Sequence, residues 1–175
     1  MYIIAIGILT LSIFTGLNAR AIVADSQNNR VTTAYTTTSS TFTNIPGLSF
    51  NLLPNTVYQF TVAIIWKGYY GEFAVGPLPS GSSFSVCGYQ FQYNPGSYNL
   101  PNQTFGCVKS SAPSPYGPAI SGAATATIDE QAFYTGAVVT GPSGGTFNIQ
   151  GAVEYAGAPL TVEVNSWIQA QVSSA

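Results

Sequence analysis

Histidine is absent from this 175-residue chain, and it holds only two Cys, one Met, four Lys plus Arg and six Asp plus Glu. Without histidine the commonest general bases and the Ser-His-Asp type of triad are unavailable. With so few Cys as well, the usual zinc ligand sets cannot be assembled, and no Asp-rich loop resembles a calcium site. A formal net charge of −2 leaves no basic footprint for a phosphate backbone, which argues against a nucleic-acid partner. No glycine-rich loop leads into a helix, so nucleotide binding is not expected and no cofactor is implied.

Charged residues make up 6% of the chain, against roughly 25% in an average soluble domain. The polar surface must therefore come from Ser, Thr, Asn, Gln, Gly and Tyr. Such a surface changes little as pH falls, because few carboxylates can take up protons. An acidic extracellular setting and an ordinary secreted β-protein both fit. Two carboxylates suffice for a glycosidase, and the candidates are Glu72, Asp129, Glu130, Glu154 and Glu163. Glu154 and Glu163 fall on the solvent-facing parity of their strands, and all five read more naturally as solvated charges. No enzymatic activity is expected.

What is present is β-pattern. Tyr58, Phe60, Val62, Ile64 and Trp66 alternate with Gln59, Thr61, Ala63 and Ile65, the two-residue period of a strand with one face on a core. This long strand is expected to be central. Upstream, Asn44-Ile45-Pro46-Gly47 is turn chemistry and Leu48 to Leu52 alternates again. Downstream, Lys67 to Gly71 predicts a turn and Glu72 to Val75 a returning strand, together a hairpin. In Ser83 to Tyr93 the side carrying Cys87, Tyr89, Phe91 and Tyr93 is expected to face inward. Phe147, Ile149, Gly151, Val153 and Tyr155 share one face of a later strand. Leu160, Val162, Val164, Ile168, Ala170 and Val172 share one face of a final continuous strand, with Trp167 on its polar side.

Ahead of this β-domain lie two shorter regions. Residues 1–24 form an apolar segment, uncharged through residue 19, and are read as one hydrophobic helix. Three readings of it stay open: a cleaved secretory signal, with Ala19-Arg20-Ala21 as the small-x-small site; a retained membrane anchor in contact with lipid; or a helix that packs against copies of itself in a homo-oligomeric filament. All three place the domain outside the cytoplasm, at a virion or cell surface. Residues 25–40 are a polar Thr-rich linker or exchangeable strand with a turn at Asn28-Asn29, and an ordinary first strand of the same domain is the simpler reading. Residues 41–175 are the β-domain. At this size it can bury a sizeable core unaided.

Several residues stand out as sites. Cys87 and Cys107, in an exported chain, are expected to form a disulfide. Asn102-Gln103-Thr104 is an N-glycosylation acceptor pattern in an expected loop. Tyr69 and Tyr70, in a predicted turn, and Trp167 are candidate contact residues, since exposed aromatic rings suit a sugar or protein on a host surface. Tyr89, Tyr93, Tyr98 and Tyr116 also fall in or near predicted loops. Each of these rings is equally at home padding the ends of a sandwich.

The run Thr41-Phe42-Thr43-Asn44-Ile45-Pro46-Gly47-Leu48-Ser49-Phe50, followed by Asn55-Thr56-Val57-Tyr58-Gln59-Phe60, resembles segments of tail-fibre and other virion-surface β-domains of prokaryotic viruses. Gly144 to Gln150, Leu160-Thr161-Val162 and Asn165-Ser166-Trp167 resemble their closing strands. The apolar N-terminal segment and the cysteine pair depart from that pattern. An apolar leading helix joined to a Thr-rich β-domain is similar instead to archaeal pilins, although no prepilin-type processing site is present. The resemblance implies an all-β fold, an antiparallel two-sheet sandwich of jelly-roll type, of about eight to ten strands. It also implies a non-enzymatic structural subunit of an extracellular assembly, a virion surface component or a pilus-like filament. A secreted adhesin or carbohydrate-binding module with a cleaved signal is the rival expectation.

Overall fold

The computed structural model describes residues 26–68, 71–92, 102–110, 120–122 and 130–173. The expected N-terminal helix, Tyr69, Tyr70, Tyr93, Tyr98, Tyr116 and Asp129 lie outside the described residues. The chain is all-β: β1 (Ser26–Arg30), β2 (Tyr35–Thr37), β3 (Thr43–Leu52), β4 (Val57–Gly68), β5 (Gly71–Val75), β6 (Ser83–Gln92), β7 (Asn102–Ser110), β8 (Ile120–Gly122), β9 (Glu130–Val139), β10 (Gly145–Val153), β11 (Leu160–Val162) and β12 (Trp167–Val172). Two antiparallel sheets result. The larger has the order β1-β12-β4-β9-β6-β7, with β11 pairing β2 and β4, and the smaller runs β3-β10-β5-β8. Residues 25–40 thus contribute β1 and β2 to the larger sheet.

β4 is the axis of the larger sheet. Its alternating Tyr58, Phe60, Val62, Ile64 and Trp66 are all at most 3% exposed, and full burial of such side chains contributes about 1.5–3 kcal/mol each. One edge of β4 pairs with β9 from Val57↔Val139 to Trp66↔Glu130, and the other is shared by β12 and β11. Phe50 and Phe147, from the smaller sheet, stack at 4.7 Å between ring centroids, and Phe147 lies 4.6 Å from Phe60 of β4. Trp66 meets Phe73 edge-on at 5.4 Å. The Tyr134 hydroxyl donates to the Phe73 carbonyl at 3.0 Å, so a buried polar group also spans the sheets. The two sheets therefore pack face to face across one hydrophobic core.

The pairings nest. β1 pairs β12, β3 pairs β10, β4 pairs β9 and β5 pairs β8, while β6 and β7 form a hairpin inserted between β5 and β8. The chain behaves as one long antiparallel hairpin rolled on itself. Ser26 lies opposite Gln171, and the Ser173 amide bonds the Val57 carbonyl, so both ends of the described chain emerge at one end of the barrel-like stack. At that end Thr140, 4% exposed, ties two loops together. Its hydroxyl accepts from the Thr56 amide at 2.7 Å and faces the Leu53 carbonyl at 2.6 Å.

Several local expectations are corrected. Asn44-Ile45-Pro46-Gly47 is no turn but part of β3, where the pairing with β10 slips between Asn148 and Gln150. The turn residues make a bulge, with Gly47 at φ 87° and so close to the Arg30 carbonyl that a Cβ would meet its oxygen at 2.3 Å. The predicted hairpin of the long strand with residues 72–75 does not form, because both edges of β4 are occupied and β5 joins the smaller sheet between β10 and β8. In β6 the described parity is inverted: Phe84 and Val86 are buried and Ser85 is exposed. Their register sets this, Phe84 facing Val138 and Val86 facing Gly136 on β9.

Asn28-Asn29 is likewise no turn but lies within β1. The Asn29 side-chain Nδ2 donates to the Ser49 carbonyl at 2.6 Å, while the Gln27 side chain exchanges two bonds of 2.8 Å with the Asn51 backbone, closing one edge of the stack. The final strand is broken at residues 163–166, where Asn165 has φ 69° and Val164 is 43% exposed. Ser166 compensates: its buried hydroxyl accepts from the Ile65 amide at 2.9 Å and reaches the Glu163 carbonyl at 2.8 Å. Tyr155 lies past the end of β10 and is 56% exposed.

Candidate binding face

The outer face of the larger sheet is built by the side chains that alternate with the core set. Register aligns them into rows that run across the strands. One row reads Ser26, Gln171, Gln59, Ala137, Ser85; the next Asn28, Gln169, Thr61, Thr135, Cys87; the third Arg30, Trp167, Ala63, Phe133. Amides and hydroxyls dominate the first two rows. Gly136 and Ala137 are small, and beside them the face dips into a depression of about 500 Å³ flanked by Gln59, Thr135, Gln169 and Gln171. A second depression of about 460 Å³ is lined by Asn28, Asn29, Arg30, Trp167 and Gln169. Gln169 borders both, so they are neighbours on one face.

Among the described residues neither depression is lined by a carboxylate, and Arg30 is the one charged residue that lines either. The side-chain amides here are idle: those of Gln59, Gln169, Gln171 and Asn28 make no hydrogen bond among the described residues. Gln27 and Asn29, on the inner side of the same edge strand, are fully engaged by comparison. A carboxamide both donates and accepts. The face can therefore offer paired donors and acceptors to an uncharged polar ligand.

The expected site residues distribute unevenly. Trp167 is 38% exposed and opposite Arg30 in register, on the face its parity indicated. Cys87 is disulfide-bonded and sits directly across the β6–β7 ladder from Cys107, the one other cysteine of the chain. Asn102 does not fall in a loop: it is the first residue of β7, opposite Gln92, because the acceptor triplet continues directly into the strand. Tyr89 is a β6 residue, paired with Phe105 and Phe133. The contributions of Gln59, Gln169 and Gln171 escaped the sequence reading. Their solvent-side parity was visible, but their meeting on adjacent strands follows only from register.

The carboxylates do not assemble around either depression. Glu130 is 2% exposed at the start of β9, not the solvated charge its neighbourhood implied, since its strand continues the buried parity of Ala132 and Tyr134. Glu163 forms an ion pair with Lys67 at 2.5 Å. The Glu72 carboxyl is held above its ordinary value of 4.5, first by partial burial and then by the negative charge of Glu154. Among the described residues no group of three or more His, Cys, Asp or Glu side chains is placed to hold a metal ion. No helix among them is long and apolar enough to cross a membrane.

No protein-family model matches the chain. No curated protein matches it either. Among solved structures it is similar to one described as "Structure of infectious bursal disease virus Gx strain", at 12% identity, covering 85% of this chain and 40% of that one. The TM-score is 0.15, a likeness too slight to carry any argument about fold or role.

Proposed function

We propose that this chain is a non-enzymatic structural subunit of an extracellular surface assembly, a virion surface component or a pilus-like filament, that presents a jelly-roll sandwich. The observation that carries the reading is the nested pairing β1·β12, β3·β10, β4·β9 and β5·β8, distributed alternately over two sheets. A long hairpin rolled in this way is the strand order of a jelly roll, an architecture of capsid and lectin domains. Two further features support it. Both ends of the described chain leave from one end of the stack, where Leu53, Val57 and Val139 are 51%, 37% and 47% exposed. An apolar leading segment attached there would dock in a membrane or in a shared core while the neutral sheet faces point outward.

The test is electron microscopy and light scattering of the native full-length material, with intact mass measured on the same sample. Particles or filaments whose mass includes residues 1–24 are expected. A monodisperse soluble monomer beginning near Ile22 would sink the assembly reading and leave the secreted alternative.

A further inference from the structure

The outer face of the larger sheet has a shape and a chemistry that an inert shell does not require. Its central depression is lined by Ala137, the smallest side chain in its row, and by the bare backbone of Gly136, and Gln169 borders both it and the depression that holds Trp167. Adjacent strands lie about 4.8 Å apart, so successive amide and hydroxyl groups along one row repeat at close to the length of one pyranose ring. Sugar hydroxyls donate and accept at once, as do the idle carboxamides of Gln59, Gln169 and Gln171. An exposed indole offers the flat apolar surface against which the C–H face of a sugar packs, beside a wet polar rim.

Charge narrows the ligand further. With no carboxylate and a single cation lining the two depressions among the described residues, neither a cationic nor a polyanionic partner finds a complementary field there. A protein partner would ordinarily meet a patch with aromatic or apolar anchors at its centre. Here the centre is amide, hydroxyl and glycine, and the indole lies to one side.

We propose that this face is a binding track for a neutral oligosaccharide carried by another molecule, seated over Gly136 and Ala137 with one sugar ring against Trp167. The track does not depend on the assembly reading, since a secreted monomer would present the same face.

The experiment uses the full chain, produced in a host that adds no N-glycan so that Asn102 cannot supply an internal ligand. An array of neutral, sialylated and sulfated oligosaccharides is screened, and the neutral sugar bound best is titrated calorimetrically. Trp167→Ala removes the stacking surface and Gln169→Ala the shared amide. Ala137→Leu fills the depression while keeping every polar group. Each is expected to weaken the neutral sugar at least tenfold with an unchanged thermal midpoint, while Glu154→Gln leaves binding as it was. The proposal is overturned if no neutral oligosaccharide is retained, if acidic sugars are preferred, or if Trp167→Ala and Gln169→Ala bind like the parent. It is equally overturned if light scattering shows that these substitutions dissociate a dimer joined through the face, because the occupant is then a second copy of the chain.

Discussion

Truncating Phe147 to alanine tests most directly how the two sheets are joined. The ring is fully buried, stacks on Phe50 of its own sheet at 4.7 Å and meets Phe60 of the opposite sheet at 4.6 Å. Phe50 also approaches Phe60 at 6.1 Å and Tyr58 at 5.6 Å, so removing the middle ring leaves a hole in a continuous column. Neighbours anchored in two paired ladders cannot collapse far into it. The expected loss is therefore toward the upper part of the range for buried Phe→Ala, about 3–5 kcal/mol. Against a total stability of about 5–15 kcal/mol, that is a large fraction. At about 2–4 °C per kcal/mol for a chain of this size, the midpoint should drop by roughly 6–20 °C. Urea titration followed by tryptophan fluorescence reads it out, because buried Trp66 reports on the same core. Phe147→Leu should lose distinctly less, and Gln59→Ala, on the exposed face, should stay within about 0.5 kcal/mol of the parent. A Phe147→Ala protein within about 1 kcal/mol of the parent would refute the claim that this aromatic column couples the sheets.

Three further outcomes follow from single contacts. Ser166→Ala leaves the Ile65 amide without its side-chain acceptor in a buried position, at a cost of about 1–3 kcal/mol, and hydrogen exchange at Ile65 should quicken before that of its neighbours. Opening the Cys87 disulfide by reduction should cost about 3 kcal/mol if it closes the 20-position loop to Cys107, on the chain-entropy model; an unchanged urea midpoint after verified reduction would contradict it. Glu72 binds its proton more tightly folded than unfolded, so its contribution to stability falls as pH rises from the ordinary value of 4.5 through the raised one. Glu72→Gln should match the parent in thermal midpoint below that window, gain on it through the window, and hold a constant advantage above it.

Where one face is buried and strands stay unbroken, the sequence was easy to read. Tyr58 to Trp66 alternates without a fault, and every member of its apolar set is in the core. The same holds for Phe147, Ile149 and Val153. Misreadings cluster where local chemistry and tertiary pairing disagree. Pro46-Gly47 has the composition of a turn, yet β10 supplies ladder bonds on both sides of it, and the two residues become a bulge. The inverted parity of β6 has the same origin: aromatic count favoured one side, but Val138 across the ladder fixed Phe84 in the core. Ser166 could not be identified from its own segment, since the amide it satisfies lies on β4, 101 positions away. Trp167 was legible because parity alone exposes it. The amides around it were legible only as polar, since β4, β9 and β12 meet through registers that no local pattern encodes.

The placement of charge makes a last prediction about the outer face that separates a neutral ligand from an ionic one. Arg30 on β1 lies three strands from Gly136 on β9, roughly 14 Å at the usual strand spacing of about 4.8 Å. Lys109 on β7, in register with Ser85 on β6, is two strands from Ala137, roughly 10 Å by the same spacing. Both separations exceed the Debye length of about 8 Å at physiological salt. Any field these cations project onto Gly136 and Ala137 is then largely screened, and hydrogen bonds to amides carry the interaction there. Affinity for a neutral sugar should accordingly stay within about twofold between roughly 0.05 and 0.5 M salt, a range over which the Debye length shrinks well below either separation. Among the described residues no carboxyl lines either depression, so the same affinity should also hold as pH falls toward 4.5. A steep loss with salt would mean that Arg30 or Lys109 holds the ligand, and the amide rows would then have no part in recognition.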